Sequence, residues 1–283
     1  NIDKTFEEDW SLHANVGASI NDTRSDELTY QGPLSNDGIP NVFSVFDLDI
    51  EKRRGSKEGW REQTQSLFGS VEVGWRSMLY LTVTGRNDWA SQLAESPESS
   101  FFYPSMGLSW IPSETFTLPA AFSYLKVRGS FSSVGIPFPR HLTIPTYEYD
   151  NTNHAWKPKT HYPIGELHPE RTKTWEAGLD LRLWRHLSLS ASWYRADTYN
   201  QTFNPQVSAS SGYSKFYVQT GSVRNQGIEL SLGYKNTWKR VSWSSNFTLS
   251  SNRNEILELV DNYRHPVTGE MITKDRLDVG GLS

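Results

Sequence analysis

The sequence predicts an all-β protein whose strands form an antiparallel transmembrane β-barrel. Three observations support this fold class. Apolar and polar residues alternate in many segments, short and long connections alternate between them, and aromatic residues stand near the segment ends. Successive side chains of a strand point to opposite faces, so the alternation gives each strand one apolar and one polar face. A membrane barrel requires such strands, because its outside meets lipid and its interior is polar.

The clearest hairpin lies at residues 174–197. Its apolar positions recur at every second residue in two arms: Trp175, Ala177, Leu179, Leu181 and Leu183, then Leu187, Leu189, Ala191 and Trp193. Each arm has about ten residues, the length that crosses a bilayer when the strand is tilted. We expect the turn at 184–186 to face the periplasm and the apolar side chains of the two arms to face lipid.

The same alternation predicts nine strands in the whole chain. They lie at about residues 10–20, 67–75, 79–83, 106–110, 125–131, 175–183, 187–193, 228–234 and 241–249. Strands of this kind also occur in soluble sheets, where one face packs on a core. The pattern of single strands therefore leaves a soluble β-sandwich open as an alternative.

The connections between these strands favour the barrel. Short turns follow the strands ending at 75, 183 and 234, and a moderate one follows the strand ending at 110. Long segments at 21–63, 90–100, 135–171 and 198–222 stand between them. Loops this long are uncommon in compact soluble domains, whereas outer-membrane barrels have short periplasmic turns and long extracellular loops. Nine strands with open edges cannot sit in lipid, so we expect residues 1–283 to form part of a larger barrel.

The amino-acid composition excludes some classes of function. Hydrophobic residues make up 36% and aromatic residues 13% of the chain, which suits a polar lumen with aromatic girdles and also a carbohydrate-binding sandwich. The formal charge of −4 is spread along the chain, so no basic surface for nucleic acid is expected. Cysteine is absent, which excludes disulfides and thiolate metal sites. Because no phosphate-binding loop, nucleophile elbow or HExxH motif is present, we expect no cofactor, metal or catalytic residue. An outer-membrane barrel enzyme is the second alternative, beside the soluble β-sandwich.

Six segments of the sequence, in the order in which they occur, resemble those of a known protein family. They are LYLTVTGRNDW at 79–89, FYPSMGLSW at 102–110, LKVRGSFSSVG at 125–135, LHPERTKTWEAGLDL at 167–181, TYNQ at 198–201 and GSVRNQGIELSLGY at 221–234. In this order and spacing they resemble the C-terminal half of the barrel in SusC-type TonB-dependent transporters of Bacteroidetes. The resemblance is close at about 60–254 and loose at 1–59.

The resemblance implies a barrel of about 22 strands in the outer membrane, closed by an N-terminal plug. It implies import of oligosaccharides or peptides, driven by the TonB complex, with a SusD-type surface lipoprotein as a lid. The plug, the TonB box and the final barrel strands have no counterpart in residues 1–283. No enzymatic activity is implied.

Two sets of residues are candidates for contact with substrate. Charged residues on the polar faces are expected to line the lumen: Glu72, Lys126, Arg128, Glu176, Asp180, Arg182 and Glu229. Such charges also pair with each other and with a plug for purely structural reasons. Aromatic and imidazole side chains in the 135–171 loop are expected to contact substrate: Tyr147, Tyr149, Trp156, His161 and Tyr162. Flat rings stack on sugars, although the same residues could simply pack the loop.

Overall fold

The computed structural model describes residues 1–7, 9–36, 44–140, 142–143, 147–150, 155–158, 167–203, 217–258, 260–264 and 271–274. These residues form a ten-stranded antiparallel sheet and two separate two-stranded hairpins. Within the described part of the chain, no helix has the length and apolar character needed to cross a membrane.

The strands of the large sheet follow one another in chain order, each pairing with the next. They are β1 (Ile2–Phe6), β2 (Trp10–Gln31), β3 (Arg54–Trp75), β4 (Leu79–Ala90), β5 (Ser100–Trp110), β6 (Phe122–Ile136), β9 (Glu170–Leu183), β10 (Leu187–Phe203), β11 (Val218–Trp238) and β12 (Val241–Glu258). Between β6 and β9 the chain forms the hairpin of β7 (Tyr147–Asp150) and β8 (Ala155–Pro158). After β12 comes the hairpin of β13 (Val260–Arg264) and β14 (Met271–Lys274).

The predicted all-β antiparallel architecture is confirmed, and each of the nine predicted strands is present. The count of nine was wrong for the sheet, because β1 adds a tenth strand that pairs Ile2 with Ala14 and Phe6 with Trp10. Sequence pattern missed β1 because it has five residues and Lys4 interrupts its apolar row. Several strands also extend well past their predicted ends, with β2 and β3 reaching 22 residues each.

The short turns at one end of the sheet share a tight geometry. In the β3–β4 turn, Arg76 and Ser77 have φ of 49° and 56°, and in the β9–β10 turn Trp184 and Arg185 have φ of 47° and 60°. Two consecutive residues with positive φ match the right-handed twist of the strands that they join.

A salt bridge joins two neighbouring short turns at this end. The guanidinium of Arg76 donates to both carboxylate oxygens of Asp9 at 2.9 Å. This side-chain hydrogen bonding, with the nearby positive charge, holds the pKa of the Asp9 carboxyl below its usual value. Both side chains are solvent-exposed, so the bridge fixes the orientation of the turns more than it stabilises the fold.

The buried core of the described residues lies at the other end of the sheet, among the long connections. It consists of Ala90, Leu93, Phe101, Phe138, Leu142 and Leu167, with Tyr103 and Tyr217 packed against it. Leu93 and Leu167 are each only 1% exposed. Arg140 reinforces this region, since its guanidinium lies 3.8 Å from the centre of the Trp60 ring and contacts Glu62. The described residues at 90–101, 138–142 and 167 are therefore packed together.

Candidate functional site

The ten-stranded sheet has two chemically different faces. Residues paired across an antiparallel ladder project to the same side, so the register assigns each side chain to a face. Leu181 pairs with Leu189 on one neighbour and Leu125 on the other, which defines the apolar face. Asp180 pairs with Ser190 and Lys126, which defines the polar face.

The apolar face is open, although its side chains are large. In the middle of the sheet Val71, Val83 and Met106 form one paired row and remain 43%, 46% and 53% exposed. Tryptophans border this band. Toward the short turns they are Trp10, Trp75, Trp110, Trp184, Trp238 and Trp243, and toward the long connections they are Trp89, Trp175 and Trp193. An exposed apolar band with aromatic borders is the pattern of a lipid-facing barrel surface.

All seven charged residues predicted for the lumen lie on the polar face: Glu72, Lys126, Arg128, Glu176, Asp180, Arg182 and Glu229. The structure brings three of them together on β6 and β9. Lys126 pairs directly opposite Asp180, and Arg128 Nε lies 3.7 Å from Asp180 Oδ2. Asp180 Oδ1 also accepts a hydrogen bond of 2.7 Å from the Ser190 hydroxyl.

The remaining members of this set are spread over the face. Glu72 accepts a hydrogen bond of 3.0 Å from the Thr82 hydroxyl. Glu229 lies between Ser192 and Ser250 in the ladder, far along the sheet from Glu72. The polar face is therefore dominated by hydroxyl groups, with charges placed singly or in small groups among them.

A groove of about 160 Å³ crosses the polar face between β4 and β9. Its lining includes Thr82, Gly107, Arg128, Glu176 and Gly178. Gly178 is required for its shape, because a Cβ there would stand 2.5 Å from Arg128 Nε. The glycine thus leaves room for the guanidinium to lie across the neighbouring strand and form one wall of the groove.

Sequence reasoning missed a second polar group nearer the long connections. Arg86 Nε donates to Asp88 Oδ1 at 2.7 Å, and Arg86 Nη2 donates to the Ser66 hydroxyl at 2.7 Å. Asp88 and Ser66 are buried. The sequence did contain a signal for this group. Arg86 and Asp88 are two residues apart, which places both side chains on one face of a strand.

The predicted aromatic site is partly brought together by the β7–β8 hairpin. Tyr149 pairs with Trp156, and their ring centres are 5.3 Å apart in an edge-to-face arrangement. Tyr147 lies two residues from Tyr149 and therefore on the same face. Tyr147, Tyr149 and Trp156 are all exposed. His161 and Tyr162, the other two predicted members, lie outside the described residues.

Among the described residues, no three His, Asp or Glu side chains are grouped closely enough to hold a metal ion. His168 contacts Glu98, with 3.3 Å between Nδ1 and Oε1. The arrangement of the polar face provides hydroxyls, ion pairs and a shallow groove, all of which suit reversible contact with a polar solute.

The exposed apolar band, its tryptophan borders and the opposing hydroxyl-rich face define the class of protein: this sheet is part of the wall of an outer-membrane β-barrel. Within that class the chain belongs to the family described as TonB dependent receptor-like, beta-barrel, whose model matches residues 1–277. Proteins of this family reside in the outer membrane, and the predicted localisation and family resemblance are confirmed.

Curated relatives come from Formosa agariphila. TonB-dependent receptor P39 is 29% identical over 271 residues, covering 92% of this chain and 26% of the relative. TonB-dependent receptor P3 is 27% identical over 211 residues, covering 69% of this chain and 20% of the relative. The chain thus spans about a fifth to a quarter of the length of the curated relatives that it matches.

Solved structures share the fold. The RagAB peptide importer in its open-open state aligns with a TM-score of 0.77 at 18% identity, covering 94% of this chain and 30% of that one. The outer membrane transporter YddB from Escherichia coli aligns with a TM-score of 0.60 at 11% identity, covering 90% of this chain and 32% of that one. In both cases the ten-stranded sheet corresponds to part of a larger barrel.

Proposed function

We propose that this chain forms part of the barrel of a TonB-dependent importer that carries oligosaccharides or peptides across the outer membrane. The observation that carries the proposal is the division of the sheet into an open apolar band and a hydroxyl-rich polar face. The polar face lines the lumen, and the apolar band contacts lipid. Membership in the TonB-dependent receptor family supports energy-driven uptake in place of passive diffusion.

The polar face suits the passage of a polar substrate. Hydroxyls such as those of Thr82 and Ser190 offer hydrogen bonds that are easily exchanged for bonds to a sugar or a peptide. Several charges of the face have a partner, as Asp180 does with Arg128 and Asp88 does with Arg86, so these charges do not hold the substrate as unpaired ions would. The substrate would be captured outside and released through the lumen after a plug rearranges, without any covalent step.

The parts that this mechanism needs lie beyond residues 1–283. In the proposed whole protein, a plug and a TonB box precede the barrel segment, and further strands close the barrel of about 22 strands. A SusD-type lipoprotein covers the extracellular mouth. The similarity to the RagAB peptide importer supports a peptide substrate as one of the two candidate classes.

The aromatic hairpin is the proposed first contact with substrate. Tyr147, Tyr149 and Trp156 present exposed rings on one face, and the edge-to-face contact between Tyr149 and Trp156 fixes their relative orientation. Rings held in this way can stack on the flat faces of sugars or against apolar side chains of a peptide. His161 and Tyr162 belong to the same proposed site on grounds of sequence alone.

Trp156→Ala in the intact transporter is expected to weaken substrate binding about tenfold to a hundredfold, since an aromatic ring that becomes buried against a bound substrate contributes about 1–3 kcal/mol. Tyr149→Ala should have a similar effect, because it also removes the ring that orients Trp156. Affinity should be measured by calorimetry with oligosaccharide and peptide mixtures, together with uptake by cells. Trp184→Ala, at the opposite end of the sheet, is the matched control. Unchanged affinity and uptake in both hairpin variants would remove the hairpin from the proposal.

A further inference from the structure

A cluster of basic residues lies on the apolar face just beyond the tryptophans of the long-loop end. In the ladder, Arg195 pairs with Trp175, and Arg253 lies two strands further on in the same row, beyond Gln226. The next row contains Lys173, Asp197, Arg224 and Glu255. Lys173 and Arg195 are each two residues, about 7 Å, past the tryptophan of their own strand.

These two rows contain more basic side chains than carboxylates. Lys173, Arg195, Arg224 and Arg253 give four cations against two carboxylates, Asp197 and Glu255, a net charge of +2. On the same face of β2 and β3 both arginines are paired with carboxylates. There Arg61 donates to Asp22 at 2.6 Å, and Arg24 donates to Asp26 at 2.9 Å.

Asp197 organises the centre of the cluster. It is 8% exposed, and it accepts from Arg224 Nε at 2.7 Å and from Arg195 Nε at 3.0 Å. Both guanidinium groups are thereby held side by side, yet their side chains remain 26% and 37% exposed. A guanidinium has five N–H donors in a planar fork, so a group anchored through Nε can still present its terminal nitrogens.

We propose that this cluster binds the phosphate group of an outer-leaflet lipid. The inference rests on the proposed orientation of the barrel, in which the apolar face meets lipid and the long connections face outward. The tryptophan border marks the level of the headgroups, and the cluster extends outward from the row of Trp175, where lipid phosphates reside. Two arginines fixed by one carboxylate, with Lys173 exposed beside them, provide charge and forked donors for a phosphate.

The test uses the full-length transporter and two substitutions that leave the Arg195–Asp197–Arg224 core intact. Lys173→Gln and Arg253→Gln each remove one exposed cation near the headgroups, and each should weaken binding of phosphate-bearing lipid A about fivefold, or about thirtyfold together. Binding is measured by native mass spectrometry of detergent-solubilised protein. Lys57→Gln, on the same face but far beyond the aromatic border, is the matched control and should bind as the unmodified protein does.

The lipid probes identify what is recognised. Lipid A from which the phosphates have been removed and phosphatidylcholine should bind weakly to every variant, and inorganic phosphate should compete poorly because it lacks acyl chains. Equal binding of the phosphorylated and dephosphorylated lipids, or unchanged binding by the double variant, would overturn this inference alone. The orientation of the barrel is checked separately by cysteine labelling of the two faces, so failure of the lipid site and failure of the proposed function can be distinguished.

Discussion

Val83→Arg in the full-length transporter is expected to lower the free energy of unfolding in a bilayer by about 2–4 kcal/mol, the cost of an arginine near the middle of a lipid-facing barrel surface. Val83 pairs with Val71 and Met106 in the central row of the apolar band and is 46% exposed. An arginine there would bring its charge into hydrocarbon, with no carboxylate among its paired neighbours.

The neighbouring substitution Thr82→Arg supplies the control, because residue 82 projects to the polar face. Thr82 already contacts Glu72 and lines the groove, so an arginine at this position gains an ionic partner and some space. Its expected effect is within about 0.5 kcal/mol, as for ordinary surface substitutions. Denaturant titrations in phospholipid vesicles, followed by the gel mobility of folded and unfolded protein, measure both. Equal, small effects at 82 and 83 would argue for a soluble sheet.

Gly227→Val is expected to destabilise the barrel by about 1–3 kcal/mol, the usual cost of forcing extra atoms into a packed site. A Cβ at position 227 would lie 2.5 Å from the carbonyl oxygen of Ser251 and 2.7 Å from the hydroxyl of Tyr194. The first contact is with backbone of the adjacent strand, so rotation of a side chain cannot relieve it. The second shows that the Tyr194 ring covers the glycine and would be displaced.

Gly107→Val is the matched control for this prediction. Gly107 also lies on the polar face, but a Cβ there has no heavy atom within 4 Å. Because valine has a higher strand propensity than glycine, this substitution should leave the free energy of unfolding unchanged or raise it slightly. The same titration and gel assay compares the two variants. A Gly107 variant as unstable as the Gly227 variant would show that loss of glycine, not the contact with β12, is responsible.

The wall of the barrel could be predicted from sequence because a strand's side-chain period is fixed. Once Leu179 and Leu181 are assigned to one face, Asp180 and Arg182 must lie on the other, and the seven charged residues proposed for the lumen share that polar face. The order of the strands followed from their hairpin connections. The register between β6 and β9 could not be predicted, because a connection as long as 137–169 does not determine which residues of the two strands pair.

The features that were missed lack a regular period. β1 is short, and Lys4 breaks its alternation. The core around Leu93 and Leu167 is assembled from loop residues and strand ends that are far apart in sequence, so no local sequence pattern predicts it. The β7–β8 hairpin has only four residues in each strand, although its aromatic content was visible. The pairing of Tyr149 with Trp156, which places the two rings together on one exposed face, could not be predicted from such short strands.

The most direct test of the barrel account compares cysteines at two adjacent positions of β10. The chain has no cysteine of its own, so Ala191→Cys on the apolar face and Ser192→Cys on the polar face give distinct signals in a transporter whose other cysteines are replaced. A small, charged thiol reagent should modify the cysteine at 192 through the water-filled lumen and leave the cysteine at 191 unmodified until the protein is unfolded. Rapid modification of 191 together with protection of 192 would contradict the proposed orientation of the sheet.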